Sequence, residues 1–518
     1  MEPTVKIWFG YTHAAVSVLQ SSPAARMVGD FVRDRLVEKE YVPEHNELIN
    51  GYWRKIPGHW QAKHQYARYD KKSQKLMIPI AYADELIGYL ESFQFQVERF
   101  KLNDYELRKI DVKMNPGFTD REHQIELIQK CSDPTPGMKG LAMQTGKGKT
   151  YSAIKSWVNL GYAGIVIVYG LVDQWIKNVL EYTKIDKDYV YKVQEFKSLA
   201  LLAQNPDYKP LFFAASYTTM QLFMEGKNDY DLLPWSFSEF FKFYGIGVKI
   251  IDETHRCFHG ITCMDLKTNV PYNLYCSATF TQSGKDAKRI FNRVFPREIQ
   301  YGIQAYDKYV NVYFFNIRGS VQEKHVVRKN RGYQHAKYEK ELMISEHKRH
   351  TYVNEVLVPL INMYYINKKF DKNQSVLIFC SSVDFIKTVV SHLRKEYPDQ
   401  KVISYIGENE LDDLKGANII VSTPGKASTG LDVKGLIAII NTVSTKAETT
   451  IAQAFGRLRK IEGRKLSYID MCDLNIEAQV RHAEDRKALL KRMCTGFYEY
   501  DGINDIRCQS GEIKEAFV

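Results

Sequence analysis

No apolar run in the 518 residues approaches the roughly 18 that span a bilayer. The N-terminus, MEPTVKIWFGYTHAAV, also lacks the basic stretch and clean apolar segment of a secretion signal. Both absences exclude membrane and secreted classes and point to the cytoplasm. The eight cysteines form no CxxC pair and no zinc-ligand spacing, which excludes a zinc module and fits reduced thiols. No internal repeat or low-complexity tract is present, so solenoids and propellers are excluded too.

What is present is a globular composition, 44% hydrophobic and 26% charged, on a chain too long for one core, so about three domains are expected. The net charge of +11 is spread along the chain and suits a polyanionic partner. Short β-branched runs alternate with helical patterns in AGIVIVYG (163–170), VKIIDETH (248–255), SVLIFC (375–380) and ANIIVST (417–423). Continuous apolar strands of this kind are buried on both faces, as in parallel α/β sheets.

The fold class is therefore α/β with two parallel-sheet domains and a small N-terminal α+β domain. The expected boundaries are 1–112 for the N-terminal domain and 113–305 for the first α/β domain. A connecting segment and the start of the second domain follow over 306–365, then the second α/β domain over 366–518. The tail from about 476 reads as one basic helix, IEAQVRHAEDRKALLKRM, and then an irregular end. His325, His335, His347 and His350 fall in a polar stretch read as a solvated connector, their irregular spacing arguing against a metal.

The run GLAMQTGKGKT places a short strand, a glycine-containing turn and a helix start in the order a phosphate loop requires. Gly146 and Gly148 let backbone N–H groups of the loop Thr145, Gly146, Lys147 and Gly148 converge on phosphate oxygens. Lys149 supplies charge for the outer phosphates, and Thr150 a hydroxyl for Mg2+. Met143 stands where the general GxxxxGK[ST] pattern has its first glycine, so the match is to the looser TGxGKT form.

Taken alone, VKIIDETH is an ordinary buried strand ending in a polar turn. Following a phosphate loop, its carboxylates acquire roles: Asp252 to hold the metal and Glu253 to polarise an attacking water. The remaining requirement is positive charge for the γ-phosphate, and QAFGRLRK offers Arg457, Arg459 and Lys460, with Gln453 and Gly456 ahead of the basic group. Arg457 is the expected finger; a solvated basic helix face is the plain alternative.

In order, TGKGKT, DETH, SAT (277–279), STGLD (428–432) and QAFGRLRK resemble the motifs of superfamily-2 helicases, and the layout is similar to that of phage UvsW-type recombination and branch-migration helicases. The resemblance covers nearly the whole chain and implies two tandem RecA-like domains, with ATP and Mg2+ as cofactors. It implies adenine recognition by Gln124 and further nucleotide contacts from Gly430, Asp432 and Gln453. It makes Ser277 and Thr279 the link from hydrolysis to domain movement. Nucleic-acid contacts are implied at Gln174, Ser216, Thr219 and Thr423, although YGLVDQWIKNV lacks the proline often found there. A second departure is Lys460, where the family has an arginine; lysine keeps the charge and loses the bidentate fork.

In GYWRKIPGHWQAKHQYARYDKK (51–72), Trp53 and Trp60 alternate with Arg54, Lys55 and Arg68. Such interleaving lets cations meet phosphates while rings stack on bases; a sheet with aromatics inward is the alternative. The expected function is an ATP-dependent DNA helicase or translocase acting on forked, branched or single-stranded DNA, 3′ to 5′. It would work as a monomer beside recombination or replication proteins, in the host cytoplasm if phage-encoded. An RNA helicase shares every nucleotide motif. A nucleic-acid clamp with a decayed ATPase is opposed by the intact Lys149, Glu253 and Arg457.

Overall fold

The computed structural model describes residues 4–49, 52–143, 146–278, 280–282, 284–302, 308–328, 332–369, 371, 373–407, 411–428, 433, 435–445 and 448–502. The chain divides into two units, Met1–Gln304 and Ala305–Val518.

The first unit opens with a mixed five-stranded sheet in the order Arg68–Asp70, Lys75–Pro79, His13–Ser17, Val5–Phe9, Val97–Lys101. Its apolar face is covered by the helices Pro23–Arg35 and Ala83–Ser92 through Val28, Phe31, Leu86 and Leu90. Ser22 caps the first helix by accepting from the Ala25 N–H, and Pro23 sits where no helical donor is needed. From this body the strand Val37–Val42 pairs antiparallel with His59–Gln65, and the chain between them forms the hairpin His45–Ile49 with Tyr52–Ile56. Every residue of His59–Gln65 except His64 is exposed, while Val37 and Glu38 of the strand it pairs with are buried.

The rest of the first unit is built on seven strands, all parallel, in the order Val190–Val193, Phe212–Ser216, Gly164–Val168, Val248–Ile251, Tyr272–Ser277, Gly137–Ala142, Gln300–Tyr301. Gly164–Val168 and Val248–Ile251 are buried at every position, which is why they carry no polar alternation. Gly137–Ala142 pairs with Tyr272–Ser277, which pairs in turn with Val248–Ile251. The phosphate loop and DETH therefore leave C-terminal strand ends on either side of Tyr272–Ser277, on the edge where open parallel sheets place their ligands.

The second unit holds seven parallel strands in the order Val402–Tyr405, Ile419–Ser422, Ser375–Phe379, Leu436–Asn441, Leu466–Asp473, Val310–Ile317, Gly496–Asp501. Each large sheet has the parallel architecture expected of a RecA-like domain.

Within 306–365, expected to hold a connecting segment and the start of the second domain, Val310–Ile317 is a strand buried along its whole length inside the sheet. Two sequence expectations are corrected in this unit. The end after the tail helix Glu477–Met493 is not irregular throughout, since Gly496–Asp501 pairs along Val310–Ile317. Of the four histidines assigned to a solvated connector, His325, His347 and His350 are exposed, but His335 is buried. It bonds the Tyr333 hydroxyl at 2.7 Å and lies 3.3 Å from the Ser444 N–H, because its helix His335–Met343 packs on the sheet. Among the described residues no helix is long and apolar enough to cross a membrane.

Candidate functional site

The loop after Gly137–Ala142 turns through two left-handed residues, Gly146 (φ +84°) and Gly148 (φ +90°), and Gly148 caps the helix Lys149–Leu160. Only glycine takes such angles without strain, and a Cβ on Gly148 would run into the Gln124 amide. Gln124 is 2% exposed. Its Nε2 donates to the Lys147 carbonyl at 3.1 Å, while its Oε1 accepts from the Arg121 N–H at 2.9 Å. His123, not singled out in the sequence, donates to the same Lys147 carbonyl at 3.0 Å. The helix Glu122–Cys131 thus steadies the loop.

Lys149 reaches from the first turn of its helix to both carboxylates of DETH, with Nζ 3.0 Å from Asp252 Oδ1 and 2.6 Å from Glu253 Oε1. Burial alone would depress the Lys149 ammonium, but Asp252 and then Glu253 hold its pKa above the ordinary lysine value. Burial pushes the Glu253 carboxyl up, and Lys149 overrides it, leaving the group below the usual glutamate value and ionised. Glu253 also has φ +52°, a left-handed conformation uncommon outside glycine. Its Oε2 is buried and, among the described residues, accepts no hydrogen bond.

Asp252 is held from both sides, its Oδ1 accepting from the Glu253 N–H at 3.0 Å and its Oδ2 from Trp175 Nε1–H at 3.0 Å. Trp175 carries no local signal of this role; the two residues meet only because Gly164–Val168 neighbours Val248–Ile251. His255 hydrogen-bonds Ser277 Oγ at 2.8 Å and lies 3.5 Å from Glu253 Oε2. Burial lowers His255 to about 4, so the ring is neutral at pH 7. Ser277, expected to couple hydrolysis to movement, is completely buried against DETH.

A phosphate-bearing ligand with a divalent cation fits these residues. The loop is built on left-handed glycines, Lys149 stands at its end, and a buried ionised carboxylate has one oxygen with no donor among the described residues. Thr150 is half-buried at the second position of the helix Lys149–Leu160, next to Lys149.

Of the expected nucleic-acid contacts in the first unit, Gln174 is exposed near the start of the helix Val172–Tyr182 and Ser216 is half-buried at a strand end. Thr219 is buried, its hydroxyl accepting from the Glu195 N–H at 2.8 Å, so its side chain serves the fold. Arg54, Lys55, Trp60 and Arg68 are exposed, with Trp60 edge-on to Tyr41 and Lys55 2.9 Å from Glu44. Arg68 lies 3.4 Å from Cys263 Sγ. The neighbouring Tyr66 is only 1% exposed, so the stretch holds both inward and outward rings.

In the second unit Gln453 is buried on the helix Glu448–Phe455, Arg457 and Arg459 are half-buried just beyond it, and Lys460 is exposed. Thr423 Oγ1 accepts from the Lys426 N–H at 3.2 Å. Thr145, Thr279, Gly430 and Asp432 lie outside the described residues, as does the Trp53 side chain.

No protein-family model matches the chain, and no curated protein matches it. Among solved structures, it is similar to S. cerevisiae Dbp5 bound to RNA and ADP BeF3, with 14% identity over 82% of this chain and 95% of that one and a TM-score of 0.48. It is similar to T4 UvsW at 14% identity over 96% of this chain and 100% of that one, TM-score 0.34. It is also similar to the ATP-dependent Type ISP restriction-modification enzyme LlaBIII bound to DNA, at 12% identity over 79% of this chain and 34% of that one, TM-score 0.47. At such identities the chemistry is read from the side chains above.

Proposed function

We propose that the chain is an ATP-driven nucleic-acid motor of the superfamily-2 helicase type, acting on forked, branched or single-stranded DNA. The observation that carries the reading is Lys149 Nζ bridging Asp252 and Glu253 at 3.0 and 2.6 Å, on the C-terminal edge of a parallel sheet and at the mouth of a left-handed glycine loop.

Lys149 here occupies the two carboxylates. Binding the nucleotide exchanges that pairing for phosphate oxygens, which frees Glu253 to accept a proton from water. Thr150 and Asp252 are the residues that would hold Mg2+, which supplies charge stabilisation to the transferring phosphate. Trp175 keeps Asp252 in place by its bond to Oδ2, and Gln124 and His123 keep the loop from collapsing. Arg457, carried by the second unit, is assigned to the outer phosphate, with Arg459 or Lys460 beside it. The bond between His255 and Ser277 connects DETH to the segment expected to report hydrolysis to the rest of the chain.

The choice of DNA over RNA, the expected 3′ to 5′ polarity and the recombination or replication partners rest on the resemblance to UvsW-type helicases; the exposed basic-aromatic ribbon supports a nucleic-acid strand of either kind. ATP turnover measured with single-stranded DNA, forked DNA and RNA tests the reading. Stimulation by DNA is expected; stimulation by RNA alone would overturn the choice of DNA, and none by either would overturn the motor.

A further inference from the structure

Between the exposed ribbon and the first parallel domain lies a cavity of about 350 Å³, within the size range of small-ligand sites. One wall comes from the ribbon and its base, with Glu38, Lys63, His64 and Tyr66. The other comes from the segment directly after DETH, with Arg256, Cys257 and His259, joined by Tyr217, Gln221 and Gln282.

Its chemistry has three parts. The imidazoles of His64 and His259 are stacked, centroids 4.2 Å apart and 18° from coplanar, with Tyr66 edge-on to His259 at 5.1 Å. His259 Nε2–H donates to the Gln65 carbonyl at 3.0 Å, and burial lowers the ring to about 4, so it stands as a neutral aromatic plane. Gln221 and Gln282 bring carboxamides able to both donate and accept. Lys63 and Arg256 bring two cations against the single carboxylate Glu38, which Lys63 meets at 3.0 Å. Half-buried polar groups that converge on open space are costly without a polar ligand or water.

Aromatic planes, two-way amides and cations at one place are the chemistry of a nucleotide within a strand: stacking for the base, hydrogen bonds for its edge, positive charge for its phosphate. We infer that this cavity takes one unpaired nucleotide of a nucleic-acid strand, with the base against the His64–His259 pair and the phosphate toward Lys63 and Arg256. The inference rests on the motor reading and adds to it a composite site shared by the N-terminal and first parallel domains.

The cavity wall also lies beside the DETH segment. Gln282 lines the cavity and its amide donates to the His255 carbonyl. The His255 ring in turn holds Ser277 and lies 3.5 Å from Glu253 Oε2.

The test uses the full chain and a short single-stranded DNA carrying one 2-aminopurine, with binding followed by anisotropy of a separate end label. Insertion into the cavity predicts a 2-aminopurine fluorescence change in the wild type that is lost in both His64→Ala and Gln221→Ala, one from each wall. The strand should also bind roughly tenfold more weakly to His64→Ala, the scale of one base-aromatic stack, and roughly threefold to tenfold more weakly to Gln221→Ala, the scale of one hydrogen bond. Thermal melting shows whether each variant is folded. An unchanged 2-aminopurine signal and affinity in both folded variants would overturn the cavity assignment alone. A wild-type chain that binds neither this strand nor an RNA of the same sequence would overturn the motor reading on which it rests.

Discussion

Replacing Glu253 by Gln isolates one step of the proposed chemistry. The substitution keeps the size of the side chain and an oxygen for Lys149 Nζ, now 2.6 Å from Oε1, but removes the carboxylate assigned to take a proton from water. Asp252 cannot substitute, because its two oxygens already accept from the Glu253 N–H and Trp175 and pair with Lys149. A positioned base contributes on the order of 100- to 10,000-fold, so turnover should fall by that factor, about 3 to 5.5 kcal/mol in the barrier. Nucleotide binding should hold or tighten, since phosphates then compete with one carboxylate for Lys149 instead of two. Steady-state ATP hydrolysis at saturating nucleotide and titration with a fluorescent ATP analogue separate the two quantities. Turnover within roughly threefold of wild type, far short of a lost base, would refute the role given to Glu253. Loss of nucleotide binding would refute the account of Lys149.

Changing Arg54, Lys55, Arg68 and Lys71 together to Gln should weaken strand binding and make its logarithmic salt slope shallower by about 3, the value for four single-strand phosphate contacts; an unchanged slope would leave them as ordinary surface. Arg486 and Asp470 form an ion pair with neither side chain exposed, and Arg486 also donates to Ser444 Oγ at 3.2 Å and the Met471 carbonyl at 2.9 Å. Arg486→Ala strands the Asp470 charge and should cost about 3–5 kcal/mol in the second unit, with Arg486→Met plus Asp470→Leu recovering most of it; chemical denaturation compares them, and equal losses would contradict the pairing argument. Burial raises Glu339 to about 7 from 4.5, against three hydrogen bonds from the Ser381 N–H, Ser382 N–H and Ser382 hydroxyl. Between those pH values the unfolded chain has lost a proton that the folded chain keeps, so this group's contribution is full at low pH and falls as pH rises, by about 3 kcal/mol in all. Glu339→Gln should remove that slope from the melting temperature of the second unit, and an identical pH profile in the variant would count against it.

Much of the fold was legible because parallel sheets and phosphate loops leave local marks. GIVIV, VKII and SVLIF are strands buried on both faces, so their apolar runs needed no partner to be recognised. The glycines of TGKGKT are required by backbone angles that the loop itself imposes, and DETH sits directly after a strand. The sequence by itself therefore determined the fold class, the loop and the two carboxylates.

Only tertiary structure decided how those pieces meet. Trp175 on Asp252, His255 on Ser277, and Gln124 with His123 on the loop join residues brought together by strand order, which no local period encodes. Strand order also buried His335, made a strand of Gly496–Asp501, and turned Arg486 of a basic-looking helix inward to Asp470. The sequence names groups that titrate, donate or stack. Burial and pairing, set by contacts across the chain, decide which of them are charged, which are tethered, and which are left to act.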